Sequence, residues 1–370
     1  MNYVRLKEIC NINMGQSPNS TSYNYENRGI PFFQGNADFG EKYPSIRLWC
    51  DKPIKIASIN DILISVRAPI GDLNYANTIC CIGRGLASIT LNKNDYIKEY
   101  IFYLLKSKKT ELNYLGTGST FKAISKKNLE NIEVPIISID KQYIIVSKIE
   151  KISKIITKKK YQLELLDDLV KARFVELFGD PVHSEKYGTR KLSSCVAEKS
   201  DMVDGPFGSQ VNTKVDYIEN GEIPVIRTVN VKMMSFSPTD LKYMTREKYE
   251  TVIRSQVLPG DVILTKVGTI GNVCIFPNAF DEAVLSTTGS CRIRVDNSVV
   301  NTQFFAYNLM YLKGKLLEIA SAGVQPFLNM NHVKNIDILD VPLEKQKEFA
   351  DFVKQVDKSK FLSNHSLFLL

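Results

Sequence analysis

The alternation of apolar and polar residues predicts many short strands along the chain. Short apolar or alternating runs stand between glycine, proline, asparagine and aspartate residues: IPFFQ, DILIS, IPVIR, DVILT and SCRIRV. Such runs are typical of β-strands bounded by turns. Two stretches instead space their apolar residues by three and four positions, DYIKEYIFYLLKS at 95–107 and TQFFAYNLMYLKGKLLEIA at 302–320. This spacing predicts a helix in each stretch.

The strand pattern occurs twice. Four stretches of the first half recur in the second half in the same order: DILISVRAPIG (61–71) as DVILTKVGTIG (261–271), GIPFFQGN (29–36) as EIPVIRTVN (222–230), NLENIEVP (128–135) as HVKNIDILDVP (332–342), and Lys141-Gln142 as Lys345-Gln346. The second match pairs Asn36 with Asn230. Four matches in order indicate a duplicated unit of about 185 residues, far longer than a solenoid repeat. In each copy of the repeated stretch, Gly71 or Gly271 is expected to hold a turn that glycine tolerates best.

A long helix is predicted between the two copies, because Lys141 to Phe178 contains neither proline nor glycine. Its apolar residues alternate steps of four and three, which is a heptad seam if Lys159 and Arg173 occupy the two interrupting positions. At 1.5 Å per residue the helix would be roughly 55 Å long, and Gly179 and Pro181 would end it. The same seam recurs at the end of the chain, in a helix about one-third shorter. The predicted seam positions are Ile145, Ile149, Ile152, Ile156, Leu163, Leu166, Val170, Phe349, Val353, Val356, Leu367 and Leu370.

Two long amphipathic helices need a surface that covers their seams. Each helix could pack on its own strand-rich module, or the two could pair as an antiparallel coiled coil, and we favour the coiled coil. The predicted fold class is α+β, with two similar mixed strand and helix modules separated by the two long helices. The predicted boundaries are 1–140 for the first module, 141–180 for the central helix, 181–342 for the second module and 343–370 for the shortened C-terminal helix.

Composition narrows the function classes. Hydrophobic residues make up 44% of the chain and the net charge is +8, which is compatible with a nucleic-acid partner without requiring one. The seven cysteines form no C-x-x-C pair and the three histidines stand apart, so we expect core cysteines and no metal. The chain shows no signal peptide and no apolar run of membrane-spanning length, which predicts a cytoplasmic protein. The motifs of phosphate loops, dinucleotide folds, zinc proteases and serine hydrolases are absent, which disfavours an enzyme.

The order of these features resembles the DNA-specificity subunits of type I restriction–modification systems. The matching features are the opening V-R-L-K-E-I, the G-[IE]-P-[FV] strand, D-[IV]-[LI]-[IL]-[ST] followed by Ile-Gly, the N-I-x-[VI] strand leading to Pro and Lys-Gln, and a first helix that ends LFGDP. The resemblance covers essentially the whole chain. Its specificity lies in the order of the features, repeated twice, and not in one motif. The short second helix departs from the family's pattern.

The resemblance implies a non-catalytic subunit. Each strand-rich module would be a target-recognition domain that reads one half of a split sequence in double-stranded DNA. The helices would set the spacing and dock two methyltransferase subunits, which would carry S-adenosylmethionine, so no cofactor is expected in this chain. A motor-nuclease subunit would join to cleave unmodified DNA. The shortened C-terminal helix would allow self-association with a second copy.

Candidate DNA-binding residues are the polar side chains near glycine in the loops beside the strands. Arginine pairs with guanine and asparagine or glutamine with adenine, whereas lysine, hydroxyl groups and backbone N–H groups contact phosphate. In the first module the candidates are Gln16, Ser17, Gln34, Asn36, Arg67, Arg84, Thr117, Ser119 and Lys122. In the second module they are Ser209, Gln210, Arg227, Asn230, Lys266, Thr269, Thr287, Thr288, Gln325 and Asn329. Phe121 and Phe327 could stack on bases, but anchoring of their loops to the core is the favoured interpretation.

Two other function classes stay open at this point. The chain could be a coiled-coil scaffold that joins proteins without touching DNA, or the specificity subunit of a related methyltransferase system outside type I. Arginine and glutamine in the loops of both modules favour DNA binding. A self-contained enzyme would need a methyl-donor or metal motif, which the sequence lacks.

Overall fold

The computed structural model describes residues 2–117, 122–183, 186–320 and 326–368, with side chains as far as residue 363. The chain divides into two compact units, residues 1–157 and 158–370. The elements of the first unit are β1 (Tyr3–Arg5), α1 (Leu6–Ile9), β2 (Cys10–Met14), β3 (Tyr23–Asn24), β4 (Ile30–Phe33), β5 (Trp49–Cys50), β6 (Ile56–Ala57), β7 (Ile62–Ser65), β8 (Leu73–Tyr75), β9 (Cys80–Ile82), β10 (Leu86–Leu91), α2 (Lys98–Ser107), α3 (Lys109–Leu115), α4 (Lys126–Glu130), β11 (Glu133–Pro135) and the start of α5 (Ile139–Phe178).

The second unit begins within α5 and follows a similar order, with α6 and the β15-β16 pair in addition. Its elements are β12 (Thr189–Lys191), β13 (Met202–Asp204), β14 (Ile223–Ile226), β15 (Val231–Lys232), β16 (Ser235–Phe236), β17 (Lys242–Met244), α6 (Arg246–Glu250), β18 (Gln256–Val257), β19 (Val262–Thr265), β20 (Val273–Ile275), β21 (Ala283–Leu285), β22 (Ser290–Ile293), α7 (Thr302–Tyr311), α8 (Lys313–Ala320), α9 (Met330–Lys334), β23 (Asp337–Leu339) and α10 (Leu343–Phe368).

The sheets confirm the duplication. The first module contains an antiparallel sheet of order β2-β10-β7-β8, and the second module contains the matching order β13-β22-β19-β20. A second sheet in each module has a parallel pair at its centre, β4 with β9 and β14 with β21. A two-stranded pair, β1 with β11 and β12 with β23, lies beside them. The buried apolar strands of both sheets and the helices α2 and α7 supply the cores, and all seven cysteines are buried, as predicted.

The predicted central helix is confirmed as α5, 40 residues from Ile139 to Phe178. It ends where the sequence predicts, since Gly179 has a φ of 80° and donates its N–H to the Val175 carbonyl at 2.8 Å. The predicted helix 302–320 is instead two helices, α7 and α8, which meet at Leu312. Lys313, at the start of α8, donates from Nζ to Asn272 Oδ1 at 2.8 Å, so the break directs this side chain to the turn after β19.

The helix α10 runs antiparallel to the α5 residues of its own unit. Arg173 bonds Glu348 at 2.7 Å, and Asp167 further back along α5 bonds Lys360 further forward along α10 at 2.6 Å. The predicted seam residues Phe349, Val353, Val356 and Val170 are buried in this core, together with α7. Phe349 packs edge-on against Phe174, with ring centroids 5.3 Å apart. In this unit, therefore, α10 pairs with α5 and also packs on the second module.

The predicted seam is wrong in the first turns of α5, where Ile145 is 38% and Ile152 is 36% exposed. Gln142 and Val146 are buried instead. The physical reason is the Gln142 amide, which accepts from Ile97 N at 3.0 Å and donates to the Asp95 carbonyl at 2.8 Å and so fixes the rotation of the helix. Ile149, Ile156, Leu163 and Leu166 are half-buried, Leu370 lies outside the described residues, and the side chain of Leu367 lies beyond the described side chains.

Candidate nucleic-acid interface

The repeated stretch ends in the same turn in both modules. Ser65 Oγ donates to the Pro69 carbonyl at 2.7 Å and accepts from Asp72 N at 2.9 Å. The Thr265 hydroxyl makes the same two bonds, to the Thr269 carbonyl and, at 3.0 Å, from Asn272 N. The φ angles of Gly71 and Gly271, 87° and 79°, lie in the region that glycine tolerates best, as predicted. In both modules a hydroxyl group bonded to backbone atoms thus holds the backbone of this turn. Residues 67–69 and 267–269 are exposed on it.

In the first module, hydrogen bonds connect this turn, directly or through a neighbouring loop, with four other loop segments. Val66 N donates to Gly85 at 2.9 Å, and Ala68 N donates to Lys122 at 3.2 Å. The Ser17 hydroxyl accepts from Arg84 N at 3.3 Å, and Gly85 N donates to the Gln34 carbonyl at 3.1 Å. These contacts bring the predicted residues Gln16, Ser17, Gln34, Arg67, Arg84, Thr117 and Lys122 to one end of the antiparallel sheet. We call the loop residues 15–17, 34–36, 66–69, 83–85, 117 and 122–123 loop face 1.

The second module builds its counterpart from matched elements. Lys266 N donates to the Gly289 carbonyl at 2.7 Å, and Leu328 N donates to the Lys266 carbonyl at 2.9 Å. The Gly205 N–H reaches Ser290 at 3.4 Å. We call the loop residues 205–210, 227–229, 266–269, 286–289 and 326–329 loop face 2. The predicted residues Ser209, Gln210, Arg227, Thr269, Thr287, Thr288 and Asn329 lie on it.

The positively charged side chains of the two faces differ in whether they form ion pairs. In loop face 1, Arg67, Arg84 and Lys122 are exposed, and none forms an ion pair with another described residue. In loop face 2, Arg227 Nη2 lies 2.7 Å from Asp240 Oδ2. Lys266 Nζ lies 3.0 Å from Asp204 Oδ2. Loop face 1 therefore presents free positive charge, whereas the cations of loop face 2 are neutralised by carboxylates.

A groove of about 660 Å³ opens at loop face 2, between its residues 227–229 and 286–289 and their neighbours. It is lined by Arg227, Lys242 and Glu219, by Thr213, Thr228 and Thr287, and by Tyr217, whose hydroxyl donates to the Ser286 carbonyl at 2.6 Å. Lys242 is itself paired with Glu219 and Asp240, and Asp240 has a lowered pKa because the Arg227 guanidinium and the Lys242 ammonium bond its carboxylate. The cations that line the groove are therefore paired with carboxylates rather than free.

Two predicted DNA-binding residues are corrected by the structure. Asn230 is buried, and its side chain accepts from Arg227 N at 3.0 Å and donates to the Ser237 carbonyl at 3.0 Å, so no group is left to read a base. Lys266 is 3% exposed and is occupied by Asp204. The sequence match of Asn36 with Asn230 is also wrong. The residue that accepts the matching backbone N–H, from Gly35 at 3.3 Å, is Asp38.

The remaining predicted residues differ in whether their side chains form hydrogen bonds and in how exposed they are. Gln210 Oε1 accepts from Phe207 N at 3.1 Å, and Asn329 Oδ1 caps α9 by accepting from His332 N at 2.8 Å, so both are partly engaged in their own loops. Gln16, Gln34, Ser209 and Thr269 are exposed, and Asn36, Thr287 and Thr288 are half-buried. Ser119, Gln325 and Phe121 lie outside the described residues.

Sequence reasoning missed the apolar side chains of loop face 2. Phe207, Val229 and Val267 are 44–57% exposed, and Phe327, predicted to anchor its loop to the core, is 50% exposed. A search for polar residues near glycine passes over such positions. The available signal was the comparison of the two copies, because Val267 stands where the first copy has Arg67.

Within the described residues, no group of three or more histidine, cysteine, aspartate or glutamate side chains is placed to hold a metal ion. Burial raises the pKa of the Cys81 thiol to about 11 and of the Cys195 thiol to about 11, so these thiols stay protonated at neutral pH. No helix in the part of the chain that the structure describes has the length and apolar character needed to cross a membrane.

The chain is similar to several known proteins. A protein of Methanocaldococcus jannaschii named as the MjaX specificity subunit of a type I restriction enzyme is 46% identical over 154 residues, which covers 42% of this chain and 36% of that relative. The MjaIX specificity subunit of the same organism is 23% identical over 95% of this chain and 85% of its own length. The chain thus matches about a third of the first relative and most of the second.

Structural comparison gives the same fold. The crystal structure of the type I restriction–modification S subunit from M. genitalium superposes with a TM-score of 0.58 at 16% identity, and the alignment covers 99% of this chain and 91% of that one. The family model described as type I restriction modification DNA specificity domain matches residues 1–165 and again residues 204–367. With two matches that together span most of its length, the chain belongs to the family of type I restriction–modification DNA specificity domains.

Proposed function

We propose that this chain is a specificity subunit in which each module reads one half of a bipartite sequence in double-stranded DNA. The observation that carries the proposal is the pair of loop faces. Matched elements build both faces, but the side chains on them differ, as Arg67 does from Val267 and Ala123 from Phe327. A shared scaffold with different exposed side chains suits the recognition of two different half-sites, since base edges specify sequence and the scaffold positions the readers.

The two long helices are proposed to set the spacing of the half-sites and to dock methyltransferase subunits. In support, α5 is 40 residues long and keeps apolar side chains exposed, among them Ile144, Leu165 and Leu169. An exposed apolar surface on a helix is typical of an interaction site. The methyltransferase subunits would bind S-adenosylmethionine and supply the catalysis, and this chain would be non-catalytic. A motor-nuclease subunit and a second copy of this chain are further proposed partners.

The proposal is tested by exchanging one module. Residues 1–140 are replaced by the corresponding module of a homologous chain, and the chimera is expressed with the methyltransferase subunits of its host in cells that lack other adenine methylation. Methylome sequencing should show a target in which one half has changed and the other half and the spacing are retained. The reciprocal exchange of residues 181–342 is the matched control, and it should change only the other half.

Three outcomes would contradict the proposal. Both halves could change in one chimera, neither half could change, or the unmodified chain could direct no sequence-specific methylation. The last result would favour a scaffold that joins proteins without reading DNA.

A further inference from the structure

Four large apolar side chains of loop face 2 are exposed to solvent: Phe207, Val229, Val267 and Phe327, each by 44–57%. They stand on loops that adjoin one another. Val267 and Phe327 are bridge partners, and Val267 N donates to the Gly289 carbonyl at 3.2 Å. Scattered exposed apolar residues are ordinary, but several on one loop surface mark an interaction site.

The fold itself does not require these apolar residues. Arg67 pairs with Ala123 as Val267 pairs with Phe327, so the first module holds a charged and a small residue at these positions. Val229 precedes the capping residue Asn230 as Ala37 precedes Asp38. Phe207 follows Gly205 by two residues, as Ser17 follows Gly15. The first copy therefore builds the same turns without the apolar side chains, and the core does not explain them.

The positively charged side chains of loop face 2 are not free to recognise a base. Arg227 and Lys266 are each paired with a carboxylate at 3.0 Å or less, and Lys242 is paired with two carboxylates. In loop face 1, by contrast, Arg67 and Arg84 are exposed and form no ion pair with another described residue. Guanine is typically read by a free arginine or lysine. Loop face 2 thus offers apolar groups, the hydroxyl groups of Thr269, Thr287 and Thr288, and the polar side chains of Ser209, Gln210 and Asn329, of which Gln210 Oε1 and Asn329 Oδ1 are engaged in their own loops.

We propose that loop face 2 recognises thymine through its C5-methyl group in the major groove. This methyl group is the one apolar mark that a base pair presents there, and apolar side chains and the methyl group of threonine contact it. Loop face 1, whose exposed arginines form no ion pair with another described residue, reads polar base edges instead. The proposal deepens the proposed function and rests on it, because it assigns a base class to the half-site of the second module.

The test replaces thymine by deoxyuridine, which lacks only the methyl group. The target is first read from the methylome. The full chain is assembled with the methyltransferase subunits of its host, and its dissociation constant is measured by fluorescence anisotropy for duplexes with deoxyuridine throughout one half-site. In the half read by the second module, affinity should fall about fourfold for each contacted methyl group. In the other half the constant should stay within about a factor of two, because uridine keeps the polar edge of thymine.

A side-chain variant ties the effect to loop face 2. In Val267→Ala the penalty for deoxyuridine in the second half-site should shrink by about fourfold, because the contact is already lost. Ile253→Ala removes an equally exposed apolar side chain of the same module that lies outside loop face 2, and it should keep the full penalty. Circular dichroism of both variants shows whether the fold is retained, and Val267→Thr, which keeps one methyl group, serves if Val267→Ala does not fold.

The outcomes separate the two proposals. If the chain binds no DNA sequence in preference to others, the proposed function fails. If it binds a bipartite target but deoxyuridine in the second half has no effect, or has the same effect in both halves, the thymine inference is overturned and the specificity subunit stands. A second half-site made only of G·C pairs would also overturn it.

Discussion

At the scale of single residues, Lys266 of loop face 2 forms a buried ion pair with Asp204. Lys266 and Asp204 are 4% and 15% exposed, and their charged atoms are 3.0 Å apart. Removing two charges from water costs several kcal/mol, which their attraction offsets only while both partners are present. Val66 and Met14 occupy the matched positions of the first module, Val66 directly after β7 and Met14 at the end of β2. The same fold therefore accepts an apolar pair at this place.

The residues of the first module at these two positions define the substitutions for a test. Lys266→Val alone leaves the Asp204 carboxylate buried without its partner, and we expect the free energy of unfolding of the second unit to fall by about 3 kcal/mol. Lys266→Val combined with Asp204→Met should return it to within about 1 kcal/mol of the original or above. Hydrogen exchange of the β13 and β19 amides measures the change. A double variant as unstable as the single one would contradict this reading.

The single tryptophan gives an internal control for these variants. Trp49 lies in β5, in the first unit, so its fluorescence reports the unfolding of that unit during a urea titration. The midpoint of the Trp49 transition should be the same in all three proteins. A shifted midpoint would mean that the substitutions act beyond the second unit.

At the scale of elements, each long helix is fixed to its module by one glutamine. Gln346 accepts from Asn301 N at 2.8 Å and donates to the Val341 carbonyl at 2.7 Å. Gln142 bonds the backbone before α2 in the same manner. The amide satisfies one donor and one acceptor at once, which an apolar side chain cannot do, so this residue sets the rotation of the helix.

Loss of this anchor should loosen α10. In Gln346→Ala the Asn301 N–H and the Val341 carbonyl lose their partner, and we expect a loss of about 2 kcal/mol in the free energy of unfolding of the second unit. Hydrogen exchange should locate the loss at the start of α7. Gln355→Ala, an exposed glutamine on the same helix, is the matched control and should change stability by less than about 0.5 kcal/mol. Equal effects of the two substitutions would argue against an anchoring role.

At the scale of the whole molecule, positive charge is distributed unequally between the loop faces. The net charge of the chain is +8, and the exposed cations Arg67, Arg84 and Lys122 belong to loop face 1. DNA binding through phosphates weakens linearly with the logarithm of salt concentration because counterions are released. Loop face 1 should therefore carry most of the salt dependence that the two faces contribute.

This expectation is tested at Lys122. If it contacts a phosphate, Lys122→Gln should reduce the slope of log affinity against log salt by about one. Lys7→Gln removes the same charge at the opposite end of β2 and should leave the slope unchanged. Specific binding of the full chain to its target duplex is measured at several salt concentrations. Identical slopes for Lys122→Gln and the original chain would show that Lys122 does not contact the backbone.

The sequence predicts those features of this molecule that are marked by the presence or absence of particular residue types. The duplication and the glycine turn are marked by residues that few others replace, such as Gly71 and Gly271, and the long helix is marked by the absence of proline and glycine from Lys141 to Phe178. The sequence does not predict three other features, each for a physical reason. The partner of Lys266 lies 62 residues away, at Asp204. The register of Asn230 is displaced by an insertion, and the exposure of Phe207 depends on loops brought together by the sheet.

The hydroxyl groups of Ser65 and Thr265 have a consequence for how new specificities arise. Their bonds involve only backbone atoms of the turn, so they hold it without help from the side chains at 67–69 and 267–269. These triplets, Arg-Ala-Pro and Val-Gly-Thr, differ at every position. Gly268 has a φ of 74°, which glycine tolerates best, but mutations of the exposed Arg67 and Val267 are spared most of the selection that acts on folding. A lineage can explore other targets by exchanging exposed side chains in place, while the module beneath keeps its stability and its expression.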